Sequence, residues 1–260
     1  MIDFEQANIA FKEYLKDFNL EYGKNKLKVK HTYGVINASE YISKKLLLND
    51  EDVKLAKLIA LLHDIGRFEQ IKNFDCFIDN ELIDHAILGN EILFNNNLIR
   101  KFIKDEQYDN IISKAILNHN RLSIENDLND KELLHAKIIR DADKIDNFRV
   151  KATEDFENIM DKVSKEILEN DTISEKIFNN FMNDKIIVKE ERNTYMDFWV
   201  SYIAFIFDFN YLYGLEYIYE KNYINTIVDR LEYKNIDTKQ KMQKIKEHAL
   251  KFINKKLTKN

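Results

Sequence analysis

The chain has 260 residues, 45% of them hydrophobic, with five glycines and no proline. That length supports a sizeable core, and the apolar share excludes a disordered chain. Lysine and arginine number 40 against 45 aspartates and glutamates, a net charge of −5, which excludes a broad basic footprint for nucleic acid. So few turn-forming residues argue against a β-sandwich or barrel and for long helices with short polar connections. The single cysteine, Cys76, rules out an internal disulfide and a multi-cysteine zinc site, so a reducing, cytoplasmic setting is expected. The opening MIDFEQANIAFKEYL has no uninterrupted apolar run and does not read as a secretory signal. The most apolar stretch, Phe198 to Phe207, stops at Asp208, well short of the roughly 20 residues of a membrane span, and is expected to be a buried helix.

Apolar residues recur at helical spacing along most of the chain. Phe4, Ala7, Phe11 and Phe18 share a stripe and predict a first helix, broken at Tyr22-Gly23-Lys24-Asn25. Val35, Ala38, Ile42 and Leu46 predict a second. Asn49-Asp50-Glu51-Asp52 reads as the start of a third, because an Asn or Asp caps free N–H groups and acids suit the first turn. That helix carries Leu55, Leu58, Ile59 and Leu62 and is expected to stop near Gly66. A fourth helix carries Leu82, Ala86 and Leu93, and a fifth Ile112, Ala115 and Ile116. A sixth starts near Asn129-Asp130 and runs past Phe148. From about Phe156 further helices are expected, with an aromatic run between Tyr195 and Tyr223 that serves core packing. No stretch alternates with period two, so the fold class is all-α.

Certain polar side chains interrupt these apolar faces. His31 is four residues before Val35, and His63 is four after Ile59 and followed by Asp64. His85 lies three before Leu88 and seven before Ile92. His119 extends the series of Ile112, Ala115 and Ile116, and Asp143 is four after Ile139. Five helices thus point a metal-type ligand inward. One buried histidine needs only hydrogen bonds for its ring nitrogens. Four histidines and two carboxylates together are different, because buried charge is costly unless paired or metal-bound. Imidazole and carboxylate without thiolate suit Fe, Mn, Co, Ni or Zn. Six ligands exceed the need of one ion with an open position and suffice for two if a carboxylate bridges. Two ions about 3.5–4 Å apart can bind both sides of a phosphate and hold a hydroxide between them.

The order His31 … His63-Asp64 … Asp143 resembles the H…HD…D signature of the HD superfamily of metal-dependent phosphohydrolases, and His63-Asp64-Ile65-Gly66 resembles its HDIG form. His85 and His119 resemble the two extra histidines of the dinuclear members, and Ala142-Asp143-Lys144 resembles the closing motif. The resemblance spans His31 to Val150. Arg67-Phe68-Glu69-Gln70 stands where the cyclic-dinucleotide phosphodiesterases carry GYP, so that substrate is not implied. What is implied is a helical HD-domain bundle with metals at its centre. The metal-binding core is expected over residues 1–155, and the helices expected beyond it form a C-terminal extension over 156–260 packed with it as one globular unit. The implied cofactors are two divalent metal ions, Fe or Mn first and Mg, Ni, Co or Zn next. His31, His63, Asp64 and Asp143 would hold one ion, and Asp64 would bridge to a second on His85 and His119. A metal-bridging hydroxide, oriented by Asp64, would attack the phosphorus of a small phosphate ester such as a nucleotide. Arg67, Lys144 and Arg121 are the cations expected to take the phosphate oxygens, Arg67 and Lys144 beside the reacting atoms, with Asn147 as a further substrate contact.

Some residues stay open. Asp141 competes with Asp143 on spacing, since Leu134, Ile138 and Asp141 also share a stripe, and the family motif selects Asp143. His135 is expected to be structural and His248, in a Lys-rich final helix, solvated. The same six ligands also suit a mixed-valent di-iron centre that cleaves C–C or C–P bonds with oxygen. A non-catalytic module with a structural metal is a third reading. The expected partners are the small phosphate ester and a second copy of the chain as a homodimer, with no membrane and no nucleic acid polymer.

Overall fold

Polar caps start the helices where the chain offers Asp, Asn, Ser or Thr. In the computed structural model, which describes residues 2–77, 79, 83–160 and 163–258, Asp3 accepts from Gln6 N at 3.0 Å and opens α1 (Phe4–Tyr14). Asn49 accepts from Asp52 N at 2.9 Å and opens α3 (Asp50–Leu62), with acids filling the first turn. Between them α2 (Gly23–Lys45) begins inside the expected break and carries Val35, Ala38 and Ile42 fully buried. The chain continues through α4 (Ile65–Phe74), α5 (His85–Phe94), α6 (Ile99–Phe102), α7 (Asp109–His119) and α8 (Asp130–Thr153). Among the described residues there follow α9 (Phe156–Ile159), α10 (Lys165–Asn170), α11 (Glu175–Met182), α12 (Tyr195–Ile203), α13 (Leu212–Glu220), α14 (Tyr223–Asp229) and α15 (Ile236–Leu257). The protein is all-α: no strand forms among the described residues. No helix among them is long and apolar enough to cross a membrane.

The chain divides into two compact units, Met1–Asp146 and Asn147–Asn260, the division falling within α8. In the first unit α2 packs along α3, α1 covers α3, and α4, α5 and α7 close the remaining side. Leu55, Leu58, Ile59 and Leu62 fill its centre, as their spacing requires, together with Phe11, Phe68, Ile112 and Ile116. In the second unit α15 packs against α11, α13 and α14. Its core is built on Trp199, Phe181, Ile218, Met242 and Ile245. There Thr194 and Asp197 form a reciprocal capping box at the start of α12. Arg230 donates to the carbonyls of Lys151 and Glu154 and lies over the Phe156 ring.

Three expectations need correction. Gly66 does not end the third helix: α3 stops at Leu62, and Gly66 lies in the first turn of a separate helix, α4. Its missing side chain serves packing, since a Cβ there would lie 2.3 Å from His85 O and 2.6 Å from Gly89 N. The fourth predicted helix begins at His85, where Asp84 accepts from Ala86 N (2.8 Å) and Ile87 N (3.2 Å); Leu82 lies outside the described residues. His248 is only partly solvated: its Nε2 meets Asp184 Oδ1 at 2.7 Å and its ring edges against Phe181 and Phe207, with centroids 6.0 and 6.3 Å away.

Candidate metal centre

Five short-range decisions of the chain aim six side chains at one space in the first unit. His31 projects from the middle of α2. His63 and Asp64 sit at the junction where α3 ends and α4 begins, so both leave the backbone at a sharp turn rather than on one helical face. His85 is the first residue of α5 and His119 the last of α7. Asp143 comes from α8. The backbone contact of Gly66 with His85 and Gly89 lets α4 and α5 approach closely enough to bring His85 beside Asp64.

Asp64 is the centre of the arrangement. Its Oδ2 lies 3.6 Å from His31 Nε2 and 3.6 Å from His63 Nε2. Its Oδ1 lies 3.3 Å from His85 Nε2 and 3.7 Å from His119 Nε2. Each carboxylate oxygen therefore faces a different histidine pair. Asp143 Oδ1 approaches from the first side, 3.0 Å from His31 Nε2 and 3.9 Å from His63 Nε2. His31, His63, Asp64, His85 and His119 are all buried, while the Asp143 side chain keeps about a fifth of its surface exposed, 21%. Two clusters, His31–His63–Asp64 and Asp64–His85–His119, each gather ligand atoms within 4.8 Å of one another.

The other ring nitrogens decide what those Nε2 atoms can do. His31 Nδ1 donates to Asp146 Oδ2 (2.7 Å), and His85 Nδ1 donates to Asp79 Oδ2 (2.7 Å). His63 Nδ1 donates to Ala60 O (2.7 Å), and His119 Nδ1 donates to Ile116 O (2.6 Å). All four partners are acceptors only, so each neutral ring keeps its proton on Nδ1 and turns an Nε2 lone pair into the shared space. Acceptors behind histidines are the usual support of metal ligands. His63 Nε2 is buried with no hydrogen-bond partner, and His85 Nε2 faces His119 Nε2 at 2.9 Å. Converging lone pairs around a two-sided, buried carboxylate fit divalent cations, which would both pair that charge and accept the ring lone pairs.

Electrostatics follow the same geometry. Burial, together with neighbouring His119 and His31, pushes the His63 pKa down to about 4 against the pull of Asp64 and Asp143. Burial would raise Asp64, but the Lys28 ammonium and the surrounding histidines hold its carboxyl well below the usual range. Asp79 is likewise held down to about 2, with the His85 hydrogen bond and the Arg67 charge outweighing burial. Burial and Lys28 oppose protonation of His31, yet Asp143 and Asp146 on its two nitrogens raise its pKa overall. A cation taken by His31 Nε2 would release that proton.

The cations picked from the sequence are placed unequally. Arg67 donates to both oxygens of Asp79 (2.9 and 3.1 Å), to Gln70 Oε1 (2.7 Å) and to Phe77 O (2.6 Å), with its Nε 3.8 Å from Asp64 Oδ1. Its guanidinium is thus turned toward Asp79, the residue behind His85. Lys144 is buried on α8 beside Asp143. Arg121 pairs with Glu125 at 3.0 Å on the surface. Asn147, in the second unit, accepts from Lys151 Nζ at 3.5 Å. Asp141 is fully buried, and it is Asp143 whose Oδ1 approaches His31 and His63. His135 is buried and reaches Asp52 Oδ1 at 3.4 Å, apart from the cluster.

Sequence reasoning missed three residues. Lys28 donates to Asp64 Oδ2 at 2.7 Å; Asp146 and Asp79 hold His31 and His85. Lys28 precedes His31 by three and Asp146 follows Asp143 by three, so helical spacing held a signal for both. Asp79 lies between α4 and α5, where no periodicity marks it. Gly34 carries a further hidden requirement, since a Cβ there would sit 1.7 Å from Asp146 Oδ1.

The HD domain family matches residues 29–147, a stretch that contains all six clustered side chains. Comparison with curated proteins and with solved structures gives no significant match. Residues 29–147 are thus similar to the HD domain family, whose members are mostly metal-dependent hydrolases, and the histidines and aspartates that could hold metal lie within that stretch.

Proposed function

We propose that this protein is a metal-dependent phosphohydrolase that acts on a small phosphate ester, a nucleotide being the first candidate, with two divalent ions. The observation that carries the reading is the two-sided Asp64, one oxygen toward His31 and His63 and the other toward His85 and His119. His31, His63, Asp64 and Asp143 would hold one ion; Asp64, His85 and His119 would hold the other. When bound, the pair supplies Lewis acidity and acidifies water within its reach. Asp64 orients the reacting water through its shared oxygens. Asp146 and Asp79 keep the proton of His31 and His85 on Nδ1, so that both Nε2 atoms stay available. Lys144, buried next to Asp143, is the charged group we assign to a phosphate oxygen. Arg67 acts in this reading as a positioning residue that fixes Asp79, and Arg121 is assigned a further contact with the ester.

The test pairs metal analysis with turnover. Wild type loaded with Mn or Fe is expected to hold close to two ions and to hydrolyse p-nitrophenyl phosphate or its bis ester, which separates monoesterase from diesterase. The double variant His85→Ala, His119→Ala is expected to retain one ion and lose activity. A single ion in wild type refutes the dinuclear part. Oxygen uptake by iron-loaded protein without phosphate release, or no turnover across a phosphate panel, refutes the hydrolase part.

A further inference from the structure

Lys28 stands outside every role assigned above. It lies one turn before His31 on α2, and its Nζ donates to Asp64 Oδ2 at 2.7 Å. That oxygen is the one turned toward His31 Nε2 and His63 Nε2, 3.6 Å from each. The Lys28 side chain is 16% exposed, and its ammonium sits 5.4 Å from the centroid of the Phe77 ring. A positive charge is therefore already seated where an ion shared by His31, His63 and Asp64 would take Asp64 Oδ2.

Two cations cannot both lie at contact distance from one carboxylate oxygen without strong mutual repulsion in a dry site. Lysine is suited to give way. Its ammonium is a compact charge on a flexible four-carbon stem, with three donors that can be re-aimed. The partly exposed side chain leaves it room to turn without unpacking α2. A phosphate ester drawn to the same ion brings several anionic oxygens to this mouth of the site, and an ammonium displaced by only a few ångströms would meet them.

We propose that Lys28 is a substrate-binding residue with two stations: it neutralises Asp64 before the first ion binds, and once the ion displaces it, it donates to a non-bridging oxygen of the phosphate ester. This inference rests on the phosphohydrolase reading above. A lysine that only stabilises the folded bundle would make neither of the two trades it predicts.

The experiment uses the full chain, as wild type, Lys28→Met and Lys28→Arg, with circular dichroism as the check on folding. Mn2+ binding is measured by titration calorimetry, and inorganic phosphate is the probe for the anion in the Mn-loaded protein. Lys28→Met removes the competing charge, so Mn2+ at the first half-site is expected to bind about tenfold tighter, while phosphate binds about tenfold more weakly, each the equivalent of one charge-assisted hydrogen bond. In turnover the same variant is expected to raise KM more than it lowers kcat. Lys28→Arg keeps the charge and is expected to stay within about threefold of wild type in both titrations. Wild-type affinities for Mn2+ and phosphate in Lys28→Met overturn this inference alone. Weaker Mn2+ binding in Lys28→Met also overturns it, because the lysine would then be building the pocket. A wild type that binds no Mn2+ overturns the function reading, and this inference falls with it.

Discussion

Replacing Asp79 by Asn keeps the size of the side chain and removes its charge. In the structure Asp79 is an acceptor on all sides: it takes His85 Nδ1 at 2.7 Å, His85 N at 3.3 Å, two Arg67 nitrogens at 2.9 and 3.1 Å, and Gln70 Nε2 at 3.2 Å. An Asn amide must turn its NH2 toward either Arg67 or His85, donor against donor. If it faces His85, the ring proton moves to Nε2, and that nitrogen no longer offers a lone pair. If it faces Arg67, a largely buried guanidinium loses its ion pair. Loss of such a supporting carboxylate typically costs 10–100-fold in metal affinity, about 1.4–2.7 kcal/mol. Asp79 is more than a quarter exposed, 28%, so solvent screening favours the lower half of that range. The weakening is expected only in the half-site of Asp64, His85 and His119, because His31 has its own carboxylate in Asp146. Calorimetric titration of Asp79→Asn with Mn2+ should show one unchanged and one weakened site. Two unchanged sites, or two equally weakened ones, would refute the assignment of Asp79 to His85.

Other changes probe the same frame. Gly34→Ala should gain about 1 kcal/mol in helix propensity yet lose about 1–3 kcal/mol to overpacking, because its Cβ falls 1.7 Å from Asp146 Oδ1; the decisive reading is weaker Mn2+ binding in the half-site of His31, and unaltered binding there counts against the Asp146 role. Gly66→Ala meets backbone atoms at 2.3 and 2.6 Å and has no flexible side chain to push aside. It should cost about 3 kcal/mol, roughly 6–12 °C in thermal midpoint for a chain of this size, and a shift under 2 °C would contradict the close α4–α5 packing. Burial lowers the His135 pKa to about 4, with Asp52 pulling the other way, against 6.5 for an unfolded histidine. The unfolded chain therefore takes up a proton first, and stability present above pH 6.5 falls as pH drops toward 4, by about 3 kcal/mol from this residue. Urea denaturation across that range should show His135→Phe losing close to one proton of slope relative to wild type, and identical slopes would refute it.

Much of the first unit was legible along the chain because its cues are local. Asn49 before a run of acids, and Leu55, Leu58, Ile59 and Leu62 at helical spacing, announce α3 without reference to anything distant. The ligand types were legible for a related reason: a histidine on an apolar stripe contradicts its surroundings, and four such contradictions in order ask for a common partner. The junction at His63-Asp64 was misjudged because glycine is ambiguous in sequence. It can end a helix, or it can let two backbones touch, and only the position of α5 tells which.

Residue order and helical period were enough to name six side chains and the chemistry of their atoms. They could not say that Asp64 turns one oxygen to each histidine pair, that Arg67 points at Asp79, or that Lys28 reaches the central carboxylate. Those facts depend on contacts between residues 36 positions apart, as for Lys28 and Asp64, or 115 apart, as for His31 and Asp146. Periodicity describes which face of a helix is buried, and carries no information about which other helix covers it; that is settled when α2, α3, α5, α7 and α8 pack and their polar groups must find partners in the same dry space.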